Sequence, residues 1–146
     1  MRVLPEIDES IDLEVLDLGL AARLLLRCPG AAQITVEGNA VAELRTRLAG
    51  SVVPSPIDEA VIDSSDEESS AATFSLTEEV ASAIEPLLAL CDWSIFHVNL
   101  HTADEWLVEG YDWGEGCCPL RIAVAASSCA AALVEAGAAR PWVSDD

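Results

Sequence analysis

Ser94-Ile95-Phe96-His97-Val98-Asn99-Leu100-His101-Thr102 is the stretch whose alternation decides the fold. Phe96, Val98 and Leu100 fall on one side of an extended chain, and Ile95, His97, Asn99 and His101 on the other. That period of two reads as a strand. Thr102-Ala103-Asp104 supplies a turn, and Glu105–Trp113 returns as a partner strand. Gly114-Glu115-Gly116 supplies a second turn. Pro119–Ala125, with Leu120, Ile122 and Val124 in alternation, closes an antiparallel meander over about 94–125.

The segments flanking the meander read as helices. Upstream, Ser75-Leu76-Thr77-Glu78 has the form of a capping box. Leu76, Val80, Ile84, Leu87, Leu88 and Cys91 then recur at helical spacing, with a kink or break expected at Pro86. Downstream, Ser127 or Ser128 caps an alanine-rich helix that ends at Gly137. Helix, meander and helix predict an α+β fold, an antiparallel sheet packed by helices on one face. A length of 146 residues fits a single domain over 1–146.

The first half is less regular. Residues 1–10 read as an acidic arm, and Ile11–Leu18 fits strand alternation and helical spacing equally. Leu20–Arg27 reads as a helix closed by Cys28-Pro29-Gly30, and Gln33–Glu37 as a strand. Gly38-Asn39 turns the chain, with Asn39 capping a helix from Ala40 to Ala49 that buries Val41, Leu44 and Leu48. Val52-Val53 and Val61-Ile62 are short strand candidates around Pro54 and Pro56. Asp63–Thr73, polar and acidic with no large apolar group, reads as a flexible loop.

Charge bounds the function. The chain carries 26 acids against seven arginines, has no lysine, and holds a formal net charge of −19. Between Leu48 and Leu120 it has fifteen acids and no basic residue. Neutralising phosphates takes clustered Lys and Arg, so direct nucleic-acid binding is excluded as the expected role. Anionic membrane surfaces are disfavoured for the same reason. The N-terminus lacks the apolar core of a signal peptide, and no apolar run reaches the ~18 residues of a membrane span. Cys28, Cys91, Cys117, Cys118 and Cys129 are odd in number and irregularly spaced, as free thiols of a cytoplasmic protein are.

Three readings fit the acidity: solubility or salt adaptation, a docking face for a basic partner, and binding of divalent cations. The meander offers two local clusters. Asp104, Glu105, Trp106, Glu109, Tyr111, Asp112, Trp113 and Glu115 interleave acids with aromatics, which suits an arginine-rich partner surface. His97 and His101 share one strand face with Asn99 between them, ~6.6–6.8 Å apart along the chain, where Glu109 could join them as a metal ligand. The plain alternative is a polar outer sheet face. Cys117-Cys118 could form a strained disulfide or be incidental thiols. No G-x-S-x-G, Walker or G-x-G-x-x-G sequence occurs, and the loop 63–68 lacks the glycine and distal glutamate of a calcium hand.

The leading expectation is therefore a small acidic binding domain that neutralises or escorts a basic protein, as an immunity-type inhibitor or a secretion-type chaperone does. No cofactor is expected, and self-association into a homodimer is left open. The alternatives are a metal protein or enzyme using His97 and His101, and a salt-adapted housekeeping domain.

Overall fold

The structure is a computed structural model, and it describes residues 7–54, 70–90, 94–113 and 119–142. Among these residues, eight strands form one antiparallel sheet, accompanied by four α-helices. In chain order the elements are β1 (Ser10–Val15), α1 (Leu18–Leu25), β2 (Gln33–Gly38), α2 (Val41–Arg47), β3 (Val52–Val53) and β4 (Ser70–Ser75), followed by α3 (Glu78–Leu88), β5 (His97–His101), β6 (Trp106–Tyr111), β7 (Pro119–Ala123), α4 (Ser127–Glu135) and β8 (Ala139–Pro141). The spatial order is β3-β4-β2-β5-β6-β7-β1-β8. The expected meander is its centre, β5 to β7, and the α+β fold with helices on one face is the one observed.

Pairing register divides the sheet into two faces, because directly opposed residues point the same way. Ile34 opposes Phe74 and Leu100, Leu100 opposes Val108, Val108 opposes Ile122, and Leu13 opposes Leu120. All of these are buried, and they join Leu25, Leu44, Ile84 and Leu133 of the four helices in one apolar core. α1 packs on α3 and α4, while α2 lies over β2 and β4. Arg27 spans α1 and α3 through Glu78 at 2.9 Å and Glu85 at 2.6 Å, an exposed clamp that adds little stability.

Several elements differ from the sequence reading. Ile11–Leu18 is resolved by its neighbours: β1 is seated between β7 and β8, then Asp17 caps α1 by accepting from the Leu20 N–H at 3.0 Å. The acidic arm is shorter than expected, since the Glu9 carbonyl already accepts from Val124 at 3.2 Å and Ser10 opens β1; residues 1–6 lie outside the described residues. The loop expected over 63–73 ends early. Ser70 to Thr73 belong to β4, with Ala71, Ala72 and Thr73 buried, because pairing along β2 overrides the weak strand preference of alanine. Residues 63–69 and Val61-Ile62 lie outside the described residues.

Caps were the other misreading. Thr77, not Ser75, caps α3 by accepting from Val80 at 3.2 Å, because Ser75 is held in β4. α3 includes Pro86 and continues through it to Leu88, so the helix does not break there, although Pro86 supplies no N–H to the ladder. α2 and α4 begin at Ala40 and Ala126 without a side-chain cap, so neither Asn39 nor Ser127 or Ser128 serves. No helix among the described residues is long and apolar enough to cross a membrane.

Candidate functional site

The face of the sheet opposite the helices carries a polar row. Successive registers place Thr73, Thr35, Asn99, Glu109, Arg121 and Asp12 side by side across β4, β2, β5, β6, β7 and β1. Each is the polar member of an alternating strand, so the row is a direct consequence of the period-two pattern.

The β4–β2–β5 end is buried and closed on itself. Thr35 Oγ1 lies 2.7 Å from Thr73 Oγ1 and 2.8 Å from His101 Nε2, and His101 Nδ1 lies 3.0 Å from the Thr102 carbonyl. A carbonyl can only accept, so Nδ1 carries the imidazole proton and Nε2 of the neutral ring accepts. Thr35 therefore donates to His101, and Thr73 donates to Thr35. His101 is fully buried and packs edge to face on Trp106, ring centroids 4.8 Å apart. Burial pushes its pKa below the ordinary 6.5, against a smaller upward pull from the Thr102 carbonyl. The chain of bonds ends on a turn in which Thr102 Oγ1 accepts from the Asp104 and Glu105 N–H groups, both at 3.1 Å.

This arrangement bears on the metal reading at one of its two residues, His101. Both ring nitrogens of His101 are used within the protein, and among the described residues no group of three His, Cys, Asp or Glu side chains is placed to hold a metal ion. It also corrects the plain alternative, because His101 and Asn99 are buried, not on a solvated outer face. Among the described residues Asn99 Oδ1 has no hydrogen-bond partner, a buried acceptor that costs on the order of 1–3 kcal/mol. Uncompensated polar atoms of this kind concentrate at functional positions.

A pH prediction follows from His101. The unfolded chain takes up a proton near the ordinary 6.5 while the folded ring resists it. Its contribution to stability is therefore intact above about pH 6.5 and is lost as pH falls through the lower folded value. Near pH 7.5, His101→Phe is expected to cost about 1–3 kcal/mol, because Thr35 loses its acceptor. Towards pH 5 the gap between wild type and variant narrows. Relief of acid–acid repulsion affects both proteins alike and cancels in the comparison. Urea unfolding at the two pH values measures it, and parallel profiles would remove His101 from the account.

The β6–β7–β1 end of the row is open. Asp12, Glu109, Tyr111, Pro119, Arg121 and Trp142, with Leu13 and Leu120, line a groove of about 320 Å³. Tyr111 and Trp142 are 47% and 42% exposed, far more than rings of that size retain in a core. His97 props Tyr111 edge to face at 5.1 Å, and its Nδ1 accepts from the Asp112 N–H at 3.3 Å. Asp112 itself adopts φ 53, a left-handed turn that aspartate tolerates better than most residues. Trp142 is held on the same side because its N–H donates to the Asp12 carbonyl at 2.9 Å. Arg121 pairs with Asp12 at 3.8 Å, both about half exposed, and Arg140 pairs with Glu14 at 2.8 Å on the adjoining strands.

Of the expected partner-binding residues, Glu109 and Tyr111 line the groove, while Asp104, Glu105 and Asp112 are exposed around the same hairpin. Trp106 is half-buried against His101. Trp113 is not a surface anchor: it is 2% exposed and its Nε1 donates to the Leu88 carbonyl at 2.7 Å, inside the core. Glu115 lies outside the described residues, as do Cys117 and Cys118. Asp12, Arg121 and Trp142 went unrecognised in the sequence because only the β7–β1–β8 pairing brings them to the hairpin. Comparison with protein-family models, curated proteins and solved structures finds no match to the chain.

Proposed function

We propose that the chain is a binding protein for a basic protein partner, which it neutralises or escorts in the cytoplasm, and that the partner docks on the open end of the sheet. The observation that carries this reading is the groove between two exposed aromatics, Tyr111 and Trp142, with Asp12 and Glu109 in its lining. An arginine side chain suits such a place: its guanidinium stacks on aromatic faces and donates bidentate hydrogen bonds to carboxylates. Asp12 is already engaged by Arg121, but at 3.8 Å and half exposure that pair is weak enough for a partner arginine to replace.

Overall charge supports the same reading. A net charge of −19 speeds encounter with a basic surface, while the aromatics supply contact area at a defined spot. Arg23, Arg45 and Arg47 sit on helices and Arg27 just beyond α1, while Arg121 and Arg140 on the sheet are each paired with an acid.

The test uses a short arginine-rich peptide as probe and isothermal titration at low and high salt. The wild type is expected to bind, with affinity falling as salt rises. Tyr111→Ala combined with Trp142→Ala should weaken binding about ten-fold or more, close to 1.4 kcal/mol or above. Glu43→Gln, on the helix side, should leave it nearly unchanged. Equal binding by the wild type and the double variant would contradict the groove.

A further inference from the structure

We propose that Asn99 makes the groove prefer arginine to lysine: its Oδ1 and the Glu109 carboxylate form a paired acceptor for one guanidinium of the partner. The inference rests on the docking reading above and adds to it the side chain that tells the two cations apart.

Asn99 stands where the closed and open ends of the polar row meet. On one side it directly opposes Thr35 of the buried network, and on the other Glu109, which lines the groove. Directly opposed residues share a face, with Cβ atoms about 4.5–5.5 Å apart. The amide is therefore the next polar group inward from the groove wall. It is 6% exposed, and among the described residues its Oδ1 has no hydrogen-bond partner.

Neither cross-strand neighbour has a proton to give it. The Thr35 hydroxyl donates to His101 Nε2 and accepts from Thr73, so its one donor is spent. An ionised carboxylate such as Glu109 only accepts. Two acceptors thus face each other across β5 and β6, a pattern that a donor-rich cation completes.

The shape of the cation then decides. A guanidinium is planar and carries its N–H donors in a fixed fork, so one edge reaches two acceptors on neighbouring strands while its face lies against a ring such as Tyr111. A lysine ammonium is a compact, strongly hydrated point charge, which pairs with Glu109 and has no second arm for the amide. The carboxylate offers about four lone-pair positions, so Glu109 keeps its own neighbours while it serves a guest. The last torsion of asparagine is broad, so Oδ1 turns towards the groove without moving the strand. An acceptor left unpaired weakens the free protein, and the complex recovers that loss only when a donor arrives.

Isothermal titration of the intact protein with an oligoarginine and an oligolysine peptide of equal length tests this. The wild type is expected to bind oligoarginine about ten-fold tighter or more, because only arginine gains the charge-assisted bond to the amide. Asn99→Ala should bind oligolysine as the wild type does and lose most of the preference for arginine. In the ¹⁵N-labelled wild type, the Asn99 side-chain amide resonances should shift with oligoarginine and stay in place with oligolysine. Failure of both peptides to bind would overturn the docking reading and this inference with it. Equal binding of the two peptides by the wild type, or full preference retained by Asn99→Ala, would overturn the role of Asn99 and leave the groove standing. The wild-type comparison and its resonances are read whether or not the variant folds.

Discussion

Replacing Trp113 with alanine is expected to lower stability by about 3–5 kcal/mol, a large share of the 5–15 kcal/mol that holds a typical domain folded. The indole is 2% exposed within the core and fills space that alanine would leave empty. A second loss is local. Leu88 is the last residue of α3, and its carbonyl has no partner within the helix. The Trp113 N–H, at 2.7 Å, is what satisfies it, so the alanine variant also strands a buried acceptor. Trp113→Phe separates the two effects. It keeps most of the ring, loses the donor, and should cost about 1–2 kcal/mol. Urea unfolding measures both, and an alanine variant as stable as the wild type would mean that the hairpin does not hold α3.

Gly38→Ala is the second large effect, at about 3 kcal/mol, near the upper end of what overpacking costs. Gly38 closes β2 where the chain entering β5 passes over it. A Cβ built there would lie 2.6 Å from the Ile95 Cα and overlap the Ser94 carbonyl. Both neighbours are backbone, so neither can swing aside. The crossing is pinned further by Phe96 donating to the Glu37 carbonyl at 2.9 Å and Ala40 donating to the Ser94 carbonyl at 3.0 Å. Gly50→Ala is the matched control: nothing lies within 4 Å of its Cβ position, and the substitution should be neutral or stabilising by about 0.4–1 kcal/mol. Equal melting temperatures for the two variants would contradict the close approach.

What the sequence disclosed follows the range of the forces involved. The alternation in Ser94–Thr102 and of Leu120 with Ile122 is a local property, and it placed β5 and β7 on their true faces; Val124 falls outside it, since β7 ends at Ala123 and Val124 is exposed in the turn that follows. Val41, Leu44 and Leu48 revealed the buried stripe of α2 for the same reason. β4 was hidden because Ser70, Ala71 and Ala72 carry no strand preference, and only pairing with β2 makes them extended. Trp113 was misread because its neighbours Tyr111 and Asp112 are surface residues; the left-handed turn at Asp112 sends the chain back into the core.

The site divides in the same way. Glu109 and Tyr111 stood out as an acid and an aromatic on a hairpin. Trp142 and Asp12 could not, since they are 130 positions apart and meet only through β8 pairing with β1. The His97 and His101 spacing gave their shared face but not the burial of His101. Thr35 reaches the His101 ring from a strand far away in sequence, and Thr73 in turn bonds Thr35.

The central claim concerns where a basic surface lands, and amide chemical-shift mapping of the ¹⁵N-labelled protein with an arginine-rich peptide tests it most directly. The expected result is a set of shifts centred on Glu109, Tyr111, Arg121 and the Trp142 indole, fading as salt is raised and absent from α1 and α3. Shifts spread over the acids in proportion to their exposure, or centred on the helices, would contradict it: the charge would then act only as a solubilising coat.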